Sequence, residues 1–175
     1  MSIPLTDDNH ITIEPSDHFV DALDSAFGGS VAVFDLDGTL SNDEARQYLA
    51  KEKKWHEYNM ASIDDPVNQD LVDKLQEHFQ QEDFIVILTG RMWCEEVEQV
   101  TIEWLQKNDI FFDALVMRSP GNTLPNGQYK AEWYRRTAKN VDVVHAYDDN
   151  PEAIELWGEL GVEATYVQSG SPFYE

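Results

Sequence analysis

The apolar positions of this chain fall into two kinds of run. Short, largely apolar stretches at Val31-Ala32-Val33-Phe34, Phe84-Ile85-Val86-Ile87-Leu88, Phe111 to Met117 and Val141 to Tyr147 read as strands, the first unbroken and so of the kind buried on both faces. Between them, apolar residues recur at helical spacing. A helix is predicted from Ser41 and Glu44, at capping-box spacing, through Ala45, Tyr48 and Leu49 toward Trp55 and Tyr58. A second begins at Asp65-Pro66 and carries Val67, Leu71, Leu75 and Phe79 on one face. A third starts near Trp93, with Val97, Val100, Trp104 and Leu105 as its buried stripe, and a fourth is opened by Lys130 and runs through Trp133 and Tyr134. A fifth is capped by Asn150, begun by Pro151, packed through Ile154, Leu156, Trp157 and Leu160, and ended by Gly161. Glu163 to Val167 offers a last strand. Upstream, Ile11-Thr12-Ile13 reads as a short strand, and Ser16 as the N-cap of a helix bearing Phe19, Val20, Leu23 and Phe27 before Gly28-Gly29. The breaker-rich stretch from Ser119 to Gly127 predicts an exposed loop.

Strands alternating with helices predict the α/β class, a Rossmann-like parallel sheet with helices on both faces. Ligands of such sheets bind just beyond the carboxyl ends of the strands. Polar residues end the apolar runs there: Asp35 and Asp37, then Thr89 and Arg91, then Asp148 and Asp149. Asp35 and Asp37 stand two apart, so on an extended strand both carboxylates point the same way and repel unless a hard cation such as Mg²⁺ lies beside them. Gly38 lets the backbone turn sharply, and the Thr39 hydroxyl is able to hold a neighbouring carboxylate or a phosphate.

Composition narrows the class further. The chain has 175 residues, 42% hydrophobic and 11% aromatic, which suits one domain spanning 1–175 with its core at about 30–168. There is one cysteine, Cys94, so neither an internal disulfide nor a cysteine-rich metal site is available. No apolar run reaches bilayer length and the first residues lack the basic and apolar regions of a signal peptide, so a soluble, cytoplasmic protein is expected. The 12 Lys+Arg against 34 Asp+Glu give a formal charge of −22, which repels polyanions at long range and attracts cations. Lys51, Lys53 and Lys54 form a local basic spot that reads either as a solvated helix face or as a contact for an anionic substrate.

Asp35-Leu36-Asp37-Gly38-Thr39 resembles the first motif of the haloacid dehalogenase (HAD) superfamily of phosphohydrolases, and the order of the later polar clusters is similar to that family's as well. The resemblance runs roughly from Val31 to Val167. It implies that Asp35 is the nucleophile forming an aspartyl-phosphate and Asp37 the general acid that later activates water. Thr89, with Gly90, would bind the substrate phosphate, Arg91 would either join it bidentately or pair with a carboxylate, and Lys130 would balance the charge of nucleophile and phosphate. Asp149, supported by Asp148, would complete a Mg²⁺ site with Asp35 and the carbonyl of Asp37. An acid must be protonated, so Asp37 is expected to be the less charged of the pair. Within the superfamily, the chain is most similar to the phosphatase domain of phage polynucleotide kinases, which implies a 3′-phosphate on a nucleic-acid end as substrate; the stretch between the first and second motifs has room for helices but not for a large separate cap, so a minimal cap and an open site are expected. The acidic charge departs from that pattern and keeps a nucleotidase or other small-molecule phosphatase as the alternative. A non-catalytic acidic DNA mimic is a third reading, and the catalytic lysine and threonine argue against it.

Overall fold

The computed structural model describes residues 10–12, 30–136 and 141–168; the helix predicted between Ser16 and Phe27 lies outside them. Among the described residues there are six strands: β1 (His10–Thr12), β2 (Ser30–Phe34), β3 (Phe84–Met92), β4 (Ala114–Arg118), β5 (Asp142–Asp148) and β6 (Ala164–Tyr166). They pair in parallel in the order β1-β4-β3-β2-β5-β6. The chain leaves β2 for β3 on one side and later returns to β5 on the other. The carboxyl end of β2 therefore lies at a topological switch point, where such sheets bind ligands.

The helices are α1 (Gln47–Lys51), α2 (Trp55–Met60), α3 (Gln69–Gln80), α4 (Glu95–Lys107), α5 (Asn126–Arg136) and α6 (Pro151–Glu159), with 3-10 turns at Glu44–Arg46 and Ala61–Asp64. Alternation along the strands assigns each helix to a face. Val31, Val33, Val86, Leu88 and Val116 pack with Tyr129 and Trp133 of α5 and Trp157 of α6. Ala32, Phe34, Ile85, Ile87 and Leu115 pack on the other side with Leu75 of α3 and Trp104 and Leu105 of α4. Full burial of one such aliphatic or aromatic side chain contributes about 1.5–3 kcal/mol, so β2 and β3, covered on both faces, form a rigid base for the polar residues at their ends. The fold class is the one the alternation predicts. No helix of the described residues is long and apolar enough to cross a membrane.

Several boundaries differ from the sequence reading, each for a local reason. Ser41 does not cap a helix: it makes bridge pairs with Asp37 and Val67, and the Asn42 side chain accepts the Glu44 N–H at 3.0 Å instead. The helix running toward Tyr58 is broken, because Lys53 adopts φ 58° between α1 and α2. Asp65-Pro66 does not start α3, which begins at Gln69; the Asp65 carboxylate is engaged by Arg46. Val72 and Leu75 supply the buried side of α3, while Phe79 is exposed against Phe111. β3 continues through Thr89, Gly90 and Arg91, and α4 starts only at Glu95. β4 starts late because Asp113 turns its carboxylate onto the Ile85 N–H at 2.7 Å. The Asn150 cap holds as read, its side-chain oxygen accepting from the N–H groups of Glu152 and Ala153. In α6 the fully buried residues are Ala153 and Trp157, with Ile154, Leu156 and Leu160 half-buried.

Candidate active site

Asp35 leaves the end of β2 with its N–H donated to the Tyr147 carbonyl at 2.9 Å, so sheet register fixes its backbone. Its side chain is buried. One carboxylate oxygen accepts from Lys130 Nζ at 2.7 Å and the other from Thr39 Oγ1 at 2.8 Å. Thr39 reaches it because Gly38, at φ 80°, reverses the chain immediately after Asp37. Lys130, in the second turn of α5 and only 1% exposed, also donates to Asp148 Oδ2 at 2.6 Å. Asp148 in turn accepts the Asn150 N–H at 3.0 Å, which ties the cluster to the start of α6.

Asp35, Asp148 and Asp149 bring carboxylate oxygens within 4.8 Å of one another, all buried. Burial lifts Asp35 above the usual carboxylate range, the charge of Lys130 offsetting this only in part. Burial, then repulsion from Asp35 and Asp148, lifts Asp149 still more strongly. For Lys130, burial is outweighed by the two carboxylates, and its ammonium is held more firmly than usual. Three acids thus share one lysine. A donor set of hard, buried oxygens that lacks positive charge is what a divalent cation such as Mg²⁺ fits.

Asp37 sits among different neighbours. Arg91 Nε and Nη2 donate to its two oxygens at 2.9 and 2.6 Å, and Arg46 Nη2 makes a further contact with Oδ1. Arg46 is anchored by Asp65 at 2.6 Å, by the Tyr58 carbonyl at 3.0 Å and by the face of the Tyr58 ring at 4.1 Å. Arg91 is braced by Thr101 Oγ1 at 2.7 Å. Burial acts to raise Asp37, but Arg91 and Arg46 outweigh it and hold the carboxylate well below the usual range. β2 ends at Phe34, so Asp35 and Asp37 lie just beyond the strand; both line one cavity, but their carboxylates have separate partners. One expectation is corrected here. Asp37 is the more firmly charged of the two, because two guanidinium groups surround it. Its carboxylate lies outside the three-acid group.

The remaining residues singled out in the sequence lie at the same edge. Thr89 is buried, its hydroxyl accepting the Arg91 N–H at 3.2 Å. A Cβ at Gly90 would meet the end of the Asn126 side chain, which would have to shift to admit it. Arg91 pairs with the Asp37 carboxylate. Arg46 is the residue the sequence did not disclose. It follows Asp37 by nine positions, but nothing in its helical pattern signals that it turns inward. Lys51, Lys53 and Lys54 are exposed and outside the cavity, with Lys54 paired to Glu52 at 2.6 Å.

A cavity of about 560 Å³ opens above these groups. Asp35, Asp37 and Arg91 lie in it, Ala50, Trp55 and Tyr58 line it from the helical insertion, and Met92, Arg118 and Leu124 line it from the β3 and β4 ends. Arg118 is held by the carbonyls of Gly90 and Leu124 at 3.0 and 2.6 Å and lies 4.5 Å above the Tyr129 ring.

Comparison with known proteins agrees with this architecture. A chain of the Pnkp1/Rnl/Hen1 complex is 25% identical, with a TM-score of 0.68 over 81% of this chain and 46% of that one. The present chain therefore spans just under half the length of that relative. A class C acid phosphatase from Bacillus anthracis, solved with tungstate bound, shares the fold at 15% identity, with a TM-score of 0.57 over 89% of this chain and 76% of that one. A hydrolase from Streptococcus pneumoniae TIGR4 shares it at 15% identity and a TM-score of 0.52, covering 79% and 92% of the two chains. Residues 29–171 match the family described as the polynucleotide kinase PNKP phosphatase domain, with its HAD fold, and the chain belongs to that family.

Proposed function

We propose that this protein is a Mg²⁺-dependent phosphomonoesterase that removes 3′-phosphates from nucleic-acid ends through an aspartyl-phosphate on Asp35. The observation that carries the reading is the presentation of Asp35: a buried carboxylate at the switch point, one oxygen held by Lys130 and the other by Thr39. That arrangement fixes the direction of a nucleophile without removing its charge. Family membership supports the polynucleotide end as substrate.

Asp35 attacks phosphorus, and the bond from phosphorus to the 3′-oxygen breaks. Asp37 gives its proton to that oxygen. Water then attacks the aspartyl-phosphate, loses a proton to Asp37, and releases inorganic phosphate with Asp35 restored. Asp35 and Asp149, with the Asp37 carbonyl, would hold Mg²⁺, while Asp148 orients Lys130. The ion supplies charge neutralisation at the transferring phosphoryl group. Thr89, Gly90 and Arg91 line the phosphate position, and Lys130 balances the charge that builds there.

The arginine pair gives Asp37 its two roles. At rest it is a base. An arriving phosphate competes for the guanidinium groups of Arg46 and Arg91 and adds negative charge nearby, and both effects raise the proton affinity of Asp37. It becomes an acid only when substrate is in place. Phosphate release from a 3′-phosphorylated oligonucleotide, with Mg²⁺ and with EDTA, tests the reading against a 3′-mononucleotide. Preference for the oligonucleotide that weakens as salt rises is expected, since backbone contacts release counterions. Equal efficiency on both at every salt concentration would favour a nucleotidase, the reading that the charge of −22 supports. Turnover unaffected by EDTA would reject the metal.

A further inference from the structure

Seven large hydrophobic side chains stand exposed among the described residues, and three of them, Trp55, Met92 and Leu124, line the cavity above the paired aspartates. Two others, Phe79 and Phe111, lie against each other at 4.6 Å. Trp55 is different, because it is 55% exposed and yet firmly supported. Its ring meets Tyr58 edge-on at 5.9 Å and 86°. Tyr58 is itself buried, its ring beneath the Arg46 guanidinium and its hydroxyl donated to Asp43. The indole is thus set in place by the same arginine that grips Asp37.

A cavity of about 560 Å³ is far larger than a phosphoryl group and falls in the range of about 300–1,000 Å³ typical of small-molecule sites. Its walls mix apolar and aromatic side chains with polar ones, the acidic Asp35, Asp37 and Asp43 among them, and they include one cation without an acidic partner. Arg118 is 7% exposed and its hydrogen bonds run to carbonyl and amide oxygens, with no carboxylate within ion-pair distance among the described residues. A cavity lined by an exposed aromatic ring and by a guanidinium without an acidic partner suits a ligand that is both planar and anionic. A nucleotide has both properties. A purely apolar ligand would leave Arg118 unanswered, and a simple alkyl phosphate would leave Trp55 bare.

We propose that Trp55 is the platform on which the terminal nucleobase stacks while its 3′-phosphate lies against Asp35. This deepens the reading given under Proposed function and rests on it. Stacking accepts any base, so the site selects an end that carries a base without selecting sequence. It also supplies a grip that does not depend on a basic surface, which this chain lacks.

The test compares two substrates: a short oligonucleotide with a 3′-phosphate, and the same oligonucleotide whose 3′-terminal, phosphorylated residue is abasic. Wild-type protein is expected to prefer the base-bearing end. Trp55→Ala is expected to lower kcat/KM on that end by roughly 5- to 150-fold, mainly through KM, and to affect the abasic end far less. Trp55→Phe, which keeps a ring, should recover most of the loss. Equal losses on both substrates, or none on either, would overturn the stacking role while leaving the 3′-phosphatase reading intact. Wild-type protein that hydrolyses an alkyl phosphate but leaves both oligonucleotides untouched would overturn the 3′-phosphatase reading and this inference with it.

Discussion

Asp35 and Asp37 are the same residue type two positions apart, and they live in opposite electrostatic surroundings. Around Asp35, three carboxylates at the ends of β2 and β5 share one lysine, Lys130 of α5. Around Asp37, two arginines meet two carboxylates, and one arginine comes from the helical insertion between β2 and α3. The first cluster carries an excess of negative charge that an added cation would offset. The second is balanced within the chain. The proposed roles, a nucleophile beside a metal and an acid–base group that changes its proton in each cycle, would call for this difference.

The largest effect is expected from removing the nucleophile. Asp35→Asn keeps the size of the side chain and the bond from Thr39 but cannot form an acyl-phosphate, so steady-state phosphatase activity should fall by at least about 1,000-fold. Thermal melting should show the variant folded and no less stable than wild type without metal, because a crowded negative charge has been removed. Residual activity near that of wild type would mean that another group attacks phosphorus.

Breaking the balanced cluster should cost both activity and stability. Arg46→Ala strands Asp65 and half of the Asp37 clamp in a buried setting, and a loss of about 3–5 kcal/mol in urea unfolding is expected. Its kcat should fall by roughly 100- to 1,000-fold if Arg46 also steadies the transferring phosphate. An unchanged melting curve would show that the Arg46 contacts contribute nothing net.

Metal and pH should act on the other cluster. Asp35 and Asp149 bind protons more tightly folded than unfolded. Their stabilising contribution is fully present below the unfolded carboxylate range, about 4, and is lost as pH rises through their raised folded values. Asp37 has the opposite sign: its contribution is present above about 4 and is lost only as pH falls toward its depressed value. Melts of metal-free protein should therefore lose this share of stability progressively above about pH 4, the Asp35 part by its folded value of about 6 and the Asp149 part only toward about 10, and Mg²⁺ should restore more at the higher pH. Asp149→Asn should flatten that slope and blunt the response to Mg²⁺. The smallest effect is expected at Lys54, exposed and paired with Glu52, where Lys54→Ala should shift stability by less than about 0.5 kcal/mol. A change in the salt dependence of oligonucleotide cleavage would be the sign that this basic spot touches substrate.

The Asp35 side of the comparison was far more legible in the sequence than the Asp37 side. Unbroken apolar runs ending in Asp35, Thr89 and Asp148 announce buried strands whose polar ends meet, and Asn150-Pro151 announces a helix start by local chemistry alone. Lys130 comes only with the family resemblance, since by itself it reads as a surface lysine, whereas the structure buries it on the helix before β5. The arginine clamp depends instead on long-range contacts. Arg46 is drawn inward by Asp65 and Tyr58, which lie beyond a chain reversal at Lys53 that no turn residue marks. The same contact diverts Asp65 from capping α3 and so displaced the predicted start of that helix. Because the clamp was hidden, so was the charge state of Asp37.

The division of labour between the two aspartates is tested most directly by rapid acid quench with an aryl phosphate labelled in its phosphoryl group. Its leaving group needs little help from an acid, so phosphorylation of Asp35 can proceed even when Asp37 is disabled. Wild-type protein should show a brief appearance of protein-bound label, Asp35→Asn none, and Asp37→Asn a lasting accumulation because water is no longer activated. Absence of bound label in both wild type and Asp37→Asn, or label that persists in Asp35→Asn, would contradict the account.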